Sequence, residues 1–243
     1  MKKIGFFFLV TLVVGLYLFI EKSALVLNPA EEIQQTQVLL VKPVWEIHSK
    51  TSNVFYEVTS NKAKQDKSKE IFLLDFPVFK SISGKQIKSS ISSDRAIMEL
   101  GSERLIMKKK VHLILTQKDD EINLFAMEVN CDLKNKNFAS KEKIRLETFF
   151  FNLESKGFEL KESQEEEKIL TFPEAHFVQN NKKESEAYGK ADLIIFRTSS
   201  DVLTMVGSAE IKLSSLTLIA EEIEYNYKTK TIVSSKKSRL FTS

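Results

Sequence analysis

The sequence predicts an all-β sandwich or barrel carried behind one apolar N-terminal segment. Three observations lead there: a long internal repeat, a two-residue hydrophobic period from Trp45 onward, and a charge-free run near the start. The repeat comes first because it sets the architecture. Arg104–Leu115 reappears as Val202–Leu213, with Leu105, Met107 and Leu115 recurring as Leu203, Met205 and Leu213, 98 positions on. Ile122–Phe138 then reappears as Leu216–Ile232, shifted by 94, with Leu124, Ala126, Glu128, Lys134 and Lys136 identical to Leu218, Ala220, Glu222, Lys228 and Lys230. Ser140, Lys143, Arg145 and Leu146 recur as Ser234, Lys237, Arg239 and Leu240.

Along the first copy, Leu105, Met107, Val111, Leu113 and Leu115 share one parity, and Lys108, Lys110, His112 and Thr116 the other. That is the alternation of a half-buried strand. Asn53–Thr59, Ile71–Phe79, Ile87–Met98, Ile144–Leu153 and Leu193–Phe196 read as strands as well. The polar breaks are Asn61–Lys69, Gln117–Glu121, Asp132–Asn137, Glu162–Glu167, Gln179–Glu186 and Thr198–Asp201. Short apolar runs at even spacing between such breaks suggest a sandwich or barrel. Pro77 and Pro173 interrupt strand-like runs. Proline cannot donate to a ladder, so both belong at an edge, a bend or a bulge.

The parity slips inside the repeat. Leu124 and Ala126 are in phase, whereas Val129, Cys131 and Leu133 are out of phase with them; the same slip separates Ala220 from Ile223. A bulge or corner restores one inner face. It predicts that Ala126, Val129, Cys131 and Leu133 point inward, and with them Ala220, Ile223, Tyr225 and Tyr227.

Ile4–Ile20 is 17 residues without a charge, preceded by Lys2 and Lys3. As a helix it rises ~26 Å, enough for a thin hydrocarbon core, and the lysines predict a cytoplasmic N-terminus with the remainder exported. The rival reading is a cleaved signal peptide. It fits less well, because that apolar core is usually shorter and Lys22 falls at the −3 position of the candidate cleavage site at Lys22-Ser23-Ala24. Residues 1–22 are thus expected to form the anchor and 23–44 a connector broken at Pro29 and Pro43, with a short helix around Glu31–Gln37.

Composition excludes much chemistry. Thirty-six basic against 33 acidic residues leave a net charge of +3, a mixed surface rather than the one-sided basic face of a nucleic-acid binder. The single cysteine rules out an intramolecular disulfide and a four-thiolate metal site. His48, His112 and His176 stand far apart, without metal spacing, and no nucleophile-elbow motif occurs. Neither a metal, a cofactor nor a catalytic group is expected. Glu162–Glu167, Glu221-Glu222 and Lys108–Lys110 read as solvated turns and faces, the lysines with an alternative role in phosphate or head-group contact.

Three stretches resemble the LptC family, the bitopic periplasmic component of the lipopolysaccharide-transport bridge: Leu105–Leu113, Phe125–Ile144 and Leu153–Leu160, the last containing Gly157-Phe158. The second copy, through Gly189–Leu193, Val206–Ile211 and Leu218–Tyr225, resembles the related LptA/OstA-type repeat. The resemblance implies an OstA-like β-jellyroll of two tandem repeats behind one transmembrane helix, with 45–160 the LptC-like portion and 161–243 the LptA/OstA-like repeat. It implies an inner-membrane, single-pass protein with its C-terminal domain in the periplasm. The expected partners are lipopolysaccharide or a related glycolipid, an LptB/LptF/LptG-like transporter and an LptA-like bridge protein. The implied lipid groove is lined by Leu105, Met107, Val111, Leu113, Leu124, Ala126, Val129 and Cys131, and in the second copy by Met205, Ala209, Ile211, Leu218, Ala220, Ile223 and Tyr225. Two departures stand out. A turn glycine of the family is Lys109 in the first copy but Gly207 in the second, so the first copy is expected to turn differently. The chain also continues past the usual end. Two other readings remain open: a carrier of another envelope lipid, and a scaffold that docks envelope proteins by strand addition.

Overall fold

The computed structural model describes residues 38–48, 54–66, 70–84, 86–116, 121–162, 167–180, 187–234 and 237–242. The expected anchor, most of the connector and the helix around Glu31–Gln37 lie outside these residues. Among the described residues, no helix is long and apolar enough to cross a membrane.

Residues Leu39–Ser243 form one compact unit, with twenty antiparallel strands among the described residues. The strands are β1 (Leu39–Val41), β2 (Val44–His48), β3 (Val54–Thr59), β4 (Lys62–Gln65), β5 (Ile71–Asp75), β6 (Val78–Ser83) and β7 (Gln86–Ser92). They continue as β8 (Arg95–Glu99), β9 (Arg104–Thr116), β10 (Glu121–Asp132), β11 (Asn137–Ser140), β12 (Ile144–Glu147), β13 (Phe151–Ser155) and β14 (Phe158–Glu162). The last are β15 (Lys168–Gln179), β16 (Ala187–Arg197), β17 (Val202–Leu213), β18 (Leu216–Asn226), β19 (Thr231–Ser234) and β20 (Ser238–Thr242).

The topology is a meander of bent ribs. Each rib is either a pair of short strands joined at a corner, such as β5 and β6, or one long strand with the corner inside it, such as β9. One wall of the folded sheet runs β1, β4, β5, β8, then residues 104–108 of β9 and 128–132 of β10, then β11, β14 and the first part of β15. The other wall runs β2, β3, β6, β7, then residues 112–115 of β9 and 123–125 of β10, then β12, β13 and the last part of β15. From β15 through β18 the long strands cross both walls, and β19 and β20 end one wall each. The ladder is continuous between the two copies of the repeat, through β14 and β15.

The two walls face each other with their apolar parities inward, as in the aligned packing of sandwiches. The parity slip is a bulge in both copies: between Ala126 and Glu128 opposite β9, and between Val206 and Ala209 opposite β18. Every residue expected to turn inward across it is buried, from Ala126 to Leu133 and from Ala220 to Tyr227. Pro77 follows a corner at Phe76. Pro173 lies inside β15 next to Glu174, where φ is 45° and the pairing skips a residue. Both prolines therefore sit at bends.

The corners keep their backbone groups paired. Lys42 N donates to Asn61 O (3.0 Å), Asn61 N to Asp75 O (3.0 Å), Phe76 N to Asp94 O (2.9 Å) and Asp94 N to Lys109 O (3.0 Å). Buried serines add hydrogen bonds to carbonyls at the bends: Ser60 Oγ donates to Asp75 O at 2.7 Å, alongside Asn61 N, and Ser93 Oγ to Arg95 O at 2.7 Å. Buried carbonyls need such partners.

The expectation that Lys109 makes the first copy turn differently is overturned. Lys109 has φ 63° and its counterpart Gly207 φ 73°; the following residues, Lys110 and Ser208, have φ 50° and 46°. The bulge imposes the left-handed conformation in both copies, and Lys109 adopts it against its own Cβ sterics. Lys109→Gly is therefore expected to stabilise the chain by about 0.5–1 kcal/mol, the relieved strain less the extra entropy of glycine. Gly207→Ala should destabilise it, since its Cβ would also come to 2.7 Å from Asp192 Oδ2. Chemical denaturation of the two variants checks the opposite signs.

Three strand expectations change. The polar break Asn61–Lys69 contains β4, because Ala63 is the one apolar residue of that strand and it is fully buried. Ile87–Met98 is bent at Ser93-Asp94 into β7 and β8. Ile144–Leu153 is not one strand but the β12–β13 hairpin. Its turn is aromatic rather than polar, and Thr148 supplies the turn chemistry: Oγ1 accepts from Phe150 N (3.1 Å) and Phe151 N (2.9 Å).

Candidate functional site: the interior between the walls and its two ends

The repeat places Leu105, Met107, Val129 and Cys131 on the first wall, and Val111, Leu113, Leu124 and Ala126 on the second. In the second copy Met205, Ile223 and Tyr225 fall on the first wall, and Ala209, Ile211, Leu218 and Ala220 on the second. Every one of these expected lining residues is buried except Leu218, which is half-buried and packs on the core. They therefore share one interior. Its chemistry is aliphatic in the first copy and increasingly aromatic in the second: Phe151 meets Phe196 edge-on at 5.6 Å across the walls, and Phe177 stacks on Tyr225 at 5.5 Å.

The walls touch where the rib tips meet. Gln179 Nε2 donates to Tyr227 O (3.0 Å), and Tyr225 Oη donates to Gln179 Oε1. The Lys228 ammonium lies 5.5 Å from the centre of the Phe150 ring, which itself packs against Tyr227 at 5.2 Å. Nearer the N-terminal end, Lys168 Nζ donates to Lys88 O (2.9 Å). Sequence reading assigned Gln179 to a polar loop. The signal that could have found it is parity, since Gln179 follows the inward series Ala175 and Phe177. Burial pushes the Tyr225 phenol up to about 12, so it stays a neutral donor in this seam.

The ends differ from the middle. At the first rib Leu40, Trp45 and Ile47 face in but are only partly buried, with Trp45 edge-on to Phe72 at 5.8 Å. At the last rib Leu240 pairs with the inward Leu218 yet is 61 % exposed. Among the described residues β1 and β2 have neighbours on one side, as do β19 and β20, so within this set both terminal edges carry unpaired backbone groups.

The groups weighed for catalysis are dispersed. His112 hydrogen-bonds Asn123 Oδ1 (2.8 Å) and stacks on Phe125 at 4.6 Å. His48 lies 3.6 Å from Glu46, and His176 3.9 Å from Glu154. Among the described residues no cluster of His, Cys, Asp or Glu could hold a metal. Lys108 and Lys110 pair with Glu128 (3.3 Å) and Asp94 (3.7 Å) on the outer surface. Cys131 is fully buried, and burial pushes its thiol far above the ordinary range. Thiolate is the reactive form, so a maleimide is expected to leave native protein unlabelled at pH 7–8 and to label it fully once unfolded, as intact-mass spectrometry would read.

Comparison with known proteins adds the following. No curated protein matches the chain. Among solved structures it is similar to LptH, the LptA homologous periplasmic component of the conserved lipopolysaccharide transport device from Pseudomonas aeruginosa, at 12 % identity and a TM-score of 0.46. That match covers 50 % of this chain and 94 % of that one. The family described as lipopolysaccharide-assembly, LptC-related matches residues 7–171. That span takes in the first copy of the repeat and reaches into β15, and on it the chain belongs to the LptC family.

Proposed function

We propose that the protein is a bridge component of lipopolysaccharide transport: it receives the glycolipid at the inner membrane and passes it along its interior toward the outer membrane. The observation that carries this reading is the continuous, mainly apolar inner face between two edges that have no outer neighbour among the described residues. Membership of the LptC family supports it. In this reading residues 1–22 hold the chain in the inner membrane and 23–44 lead to the first rib. Residues 45–160 are the family's own portion, and 161–243 a further length of bridge fused in line.

The terminal edges take strands from neighbours, with main-chain hydrogen bonds making the join. An LptB/LptF/LptG-like transporter belongs at the β1–β2 edge and an LptA-like protein at the β19–β20 edge. The half-exposed Trp45 and exposed Leu240 are then covered by the next inner face. Acyl chains lie between the walls against Leu105, Met107, Val111, Leu113, Leu124, Ala126, Val129 and Cys131, and further on against Met205, Ala209, Ile211, Leu218, Ala220, Ile223 and Tyr225. Sugars stay outside. No bond is made or broken here; energy comes from the transporter.

One observation favours the scaffold reading. Met107 and Met205 are fully buried, so an acyl chain reaches them only if the walls part along their tips. Photo-crosslinkers at Met107 and Met205 of the full-length chain in cells, followed by mass spectrometry of the adducts, decide between the readings. Lipopolysaccharide adducts at both positions are expected. Adducts of another lipid would change the cargo, and protein adducts without lipid at either position would leave the scaffold.

A further inference from the structure

The polar side chains of the interior fall into two groups. Near the corners, Ser60, Ser93 and Ser155 donate to bend carbonyls. A second group lies at the tips, away from any corner. Tyr56, Ser81 and Ser89 are consecutive cross-strand partners on β3, β6 and β7, all three buried and on the inward parity. Next in the same row is Leu115, so this is an inner face that turns from apolar to hydroxylic over three ribs.

The Tyr56 hydroxyl is buried and has no hydrogen-bond partner among the described residues. Its ring is held by stacking on Phe79 at 5.3 Å, which in turn meets Phe138 of the opposite wall at 5.9 Å. The hydroxyl is thus aimed at the seam by a rigid aromatic stack. A buried polar group without a partner is unfavourable, and the stack does nothing to relieve it.

Across the seam, Glu162 and Lys168 are cross-strand partners at the tip of the first wall. Both share the inward parity of their strands, with Leu160 and Leu170 behind them. Lys168 Nζ donates to Lys88 O, the carbonyl next to Ser89. The Tyr56 phenol is pushed up to about 12, first by burial and then by the negative charge of Glu162. The collected groups are three hydroxyls, one carboxylate and one ammonium, with no net charge. A bare phosphate would meet the field of Glu162, whereas neutral hydroxyl and amide groups find donors and acceptors on both lips.

We propose that Tyr56, Ser81 and Ser89 on one lip, with Glu162 and Lys168 on the other, bind the hydroxyl- and amide-bearing linkage of a glycolipid, where sugar joins acyl chain. The proposal rests on the lipid-carrying interior argued above and gives it an anchoring point. The chains run inward past Phe79 and Phe138, the sugar stays at the seam, and the Tyr56 hydroxyl gains the partner it lacks.

The test uses the full-length chain in nonionic detergent and two photoreactive probes with the same diazirine-bearing chain, one an N-acyl amino sugar and the other an alkyl phosphate. In the wild type, the amino-sugar probe is expected to label peptides containing Phe79 or Phe138. Tyr56→Phe keeps the ring stack and should cut that labelling about five- to tenfold, the worth of one hydrogen bond, and leave alkyl-phosphate labelling unchanged. Ser89→Ala should shift the same probe in the same direction. Equal amino-sugar labelling of wild type and Tyr56→Phe overturns the site, leaving an ordered water on the phenol. Loss confined to the phosphate probe overturns the assigned ligand class. Failure of both probes to label the wild-type interior overturns the lipid-bridge reading itself, and this site with it.

Discussion

Phe151→Ala is expected to lower stability by about 3–5 kcal/mol, the range for truncating a fully buried aromatic side chain. Phe151 is the first residue after the Thr148 turn and is almost wholly buried. Its ring contacts Phe177 (6.2 Å), Phe196 (5.6 Å) and Tyr227 (5.3 Å). Phe177 belongs to the same wall, whereas Phe196 and Tyr227 belong to the opposite one. Alanine here removes buried area and leaves a cavity that the strands cannot close, because each neighbouring ring is held by its own ladder. For a chain of this size the melting temperature should fall about 6–20 °C. Phe149→Ala is the control: that ring, two residues earlier in the same turn, is 76 % exposed, and its loss should change stability by no more than about 0.5 kcal/mol. Equal losses from the two variants would show that the walls are not joined through Phe151.

Gly157→Ala is the second large effect. Gly157 lies at the corner between β13 and β14, where the backbone of the neighbouring rib passes close. A Cβ would come to 2.5 Å from Ser140 O and 3.4 Å from Lys141 Cα. Neither is the end of a flexible side chain. Ser140 is tied to Phe158 in the β11–β14 ladder, so its carbonyl moves only if that pairing moves. The expected loss is about 3 kcal/mol, the upper part of the usual overpacking range, or roughly 6–12 °C in melting temperature. Gly84→Ala separates crowding from conformation. Gly84 has φ 62° but nothing within 4 Å of its Cβ position, so it should lose only about 1 kcal/mol, the strain of a left-handed alanine. If Gly157→Ala melts no lower than Gly84→Ala, the close approach of the two ribs is not what requires the glycine.

These effects bear on how far the chain can be read in advance. The repeat, the inward parity and the bulge after Ala126 and Ala220 were all legible, because a two-residue period leaves a one-residue slip visible as a change of phase. The two prolines marked bends for an equally local reason. The corner at Ser93-Asp94 and the hairpin at Thr148 were not legible. Serine, aspartate and threonine make their turns here through single hydrogen bonds to backbone, and apolar residues on both sides hide the break. Lys109 misled in the other direction: its side chain argued against a left-handed turn that its ladder neighbours enforce.

What the sequence by itself determined is which residues of the repeat face inward, and the bends at its bulge and at the two prolines. Both are local properties, written in alternation and in turn chemistry. What only the tertiary structure decided is which tips meet. The pairing of Gln179 with Tyr225 and Tyr227, and of Lys168 with the Lys88 carbonyl, joins residues 46, 48 and 80 positions apart. So does the gathering of Tyr56, Ser81 and Ser89 opposite Glu162. Such contacts depend on how far the walls twist from one rib to the next, a sum over the whole ladder that no short stretch encodes.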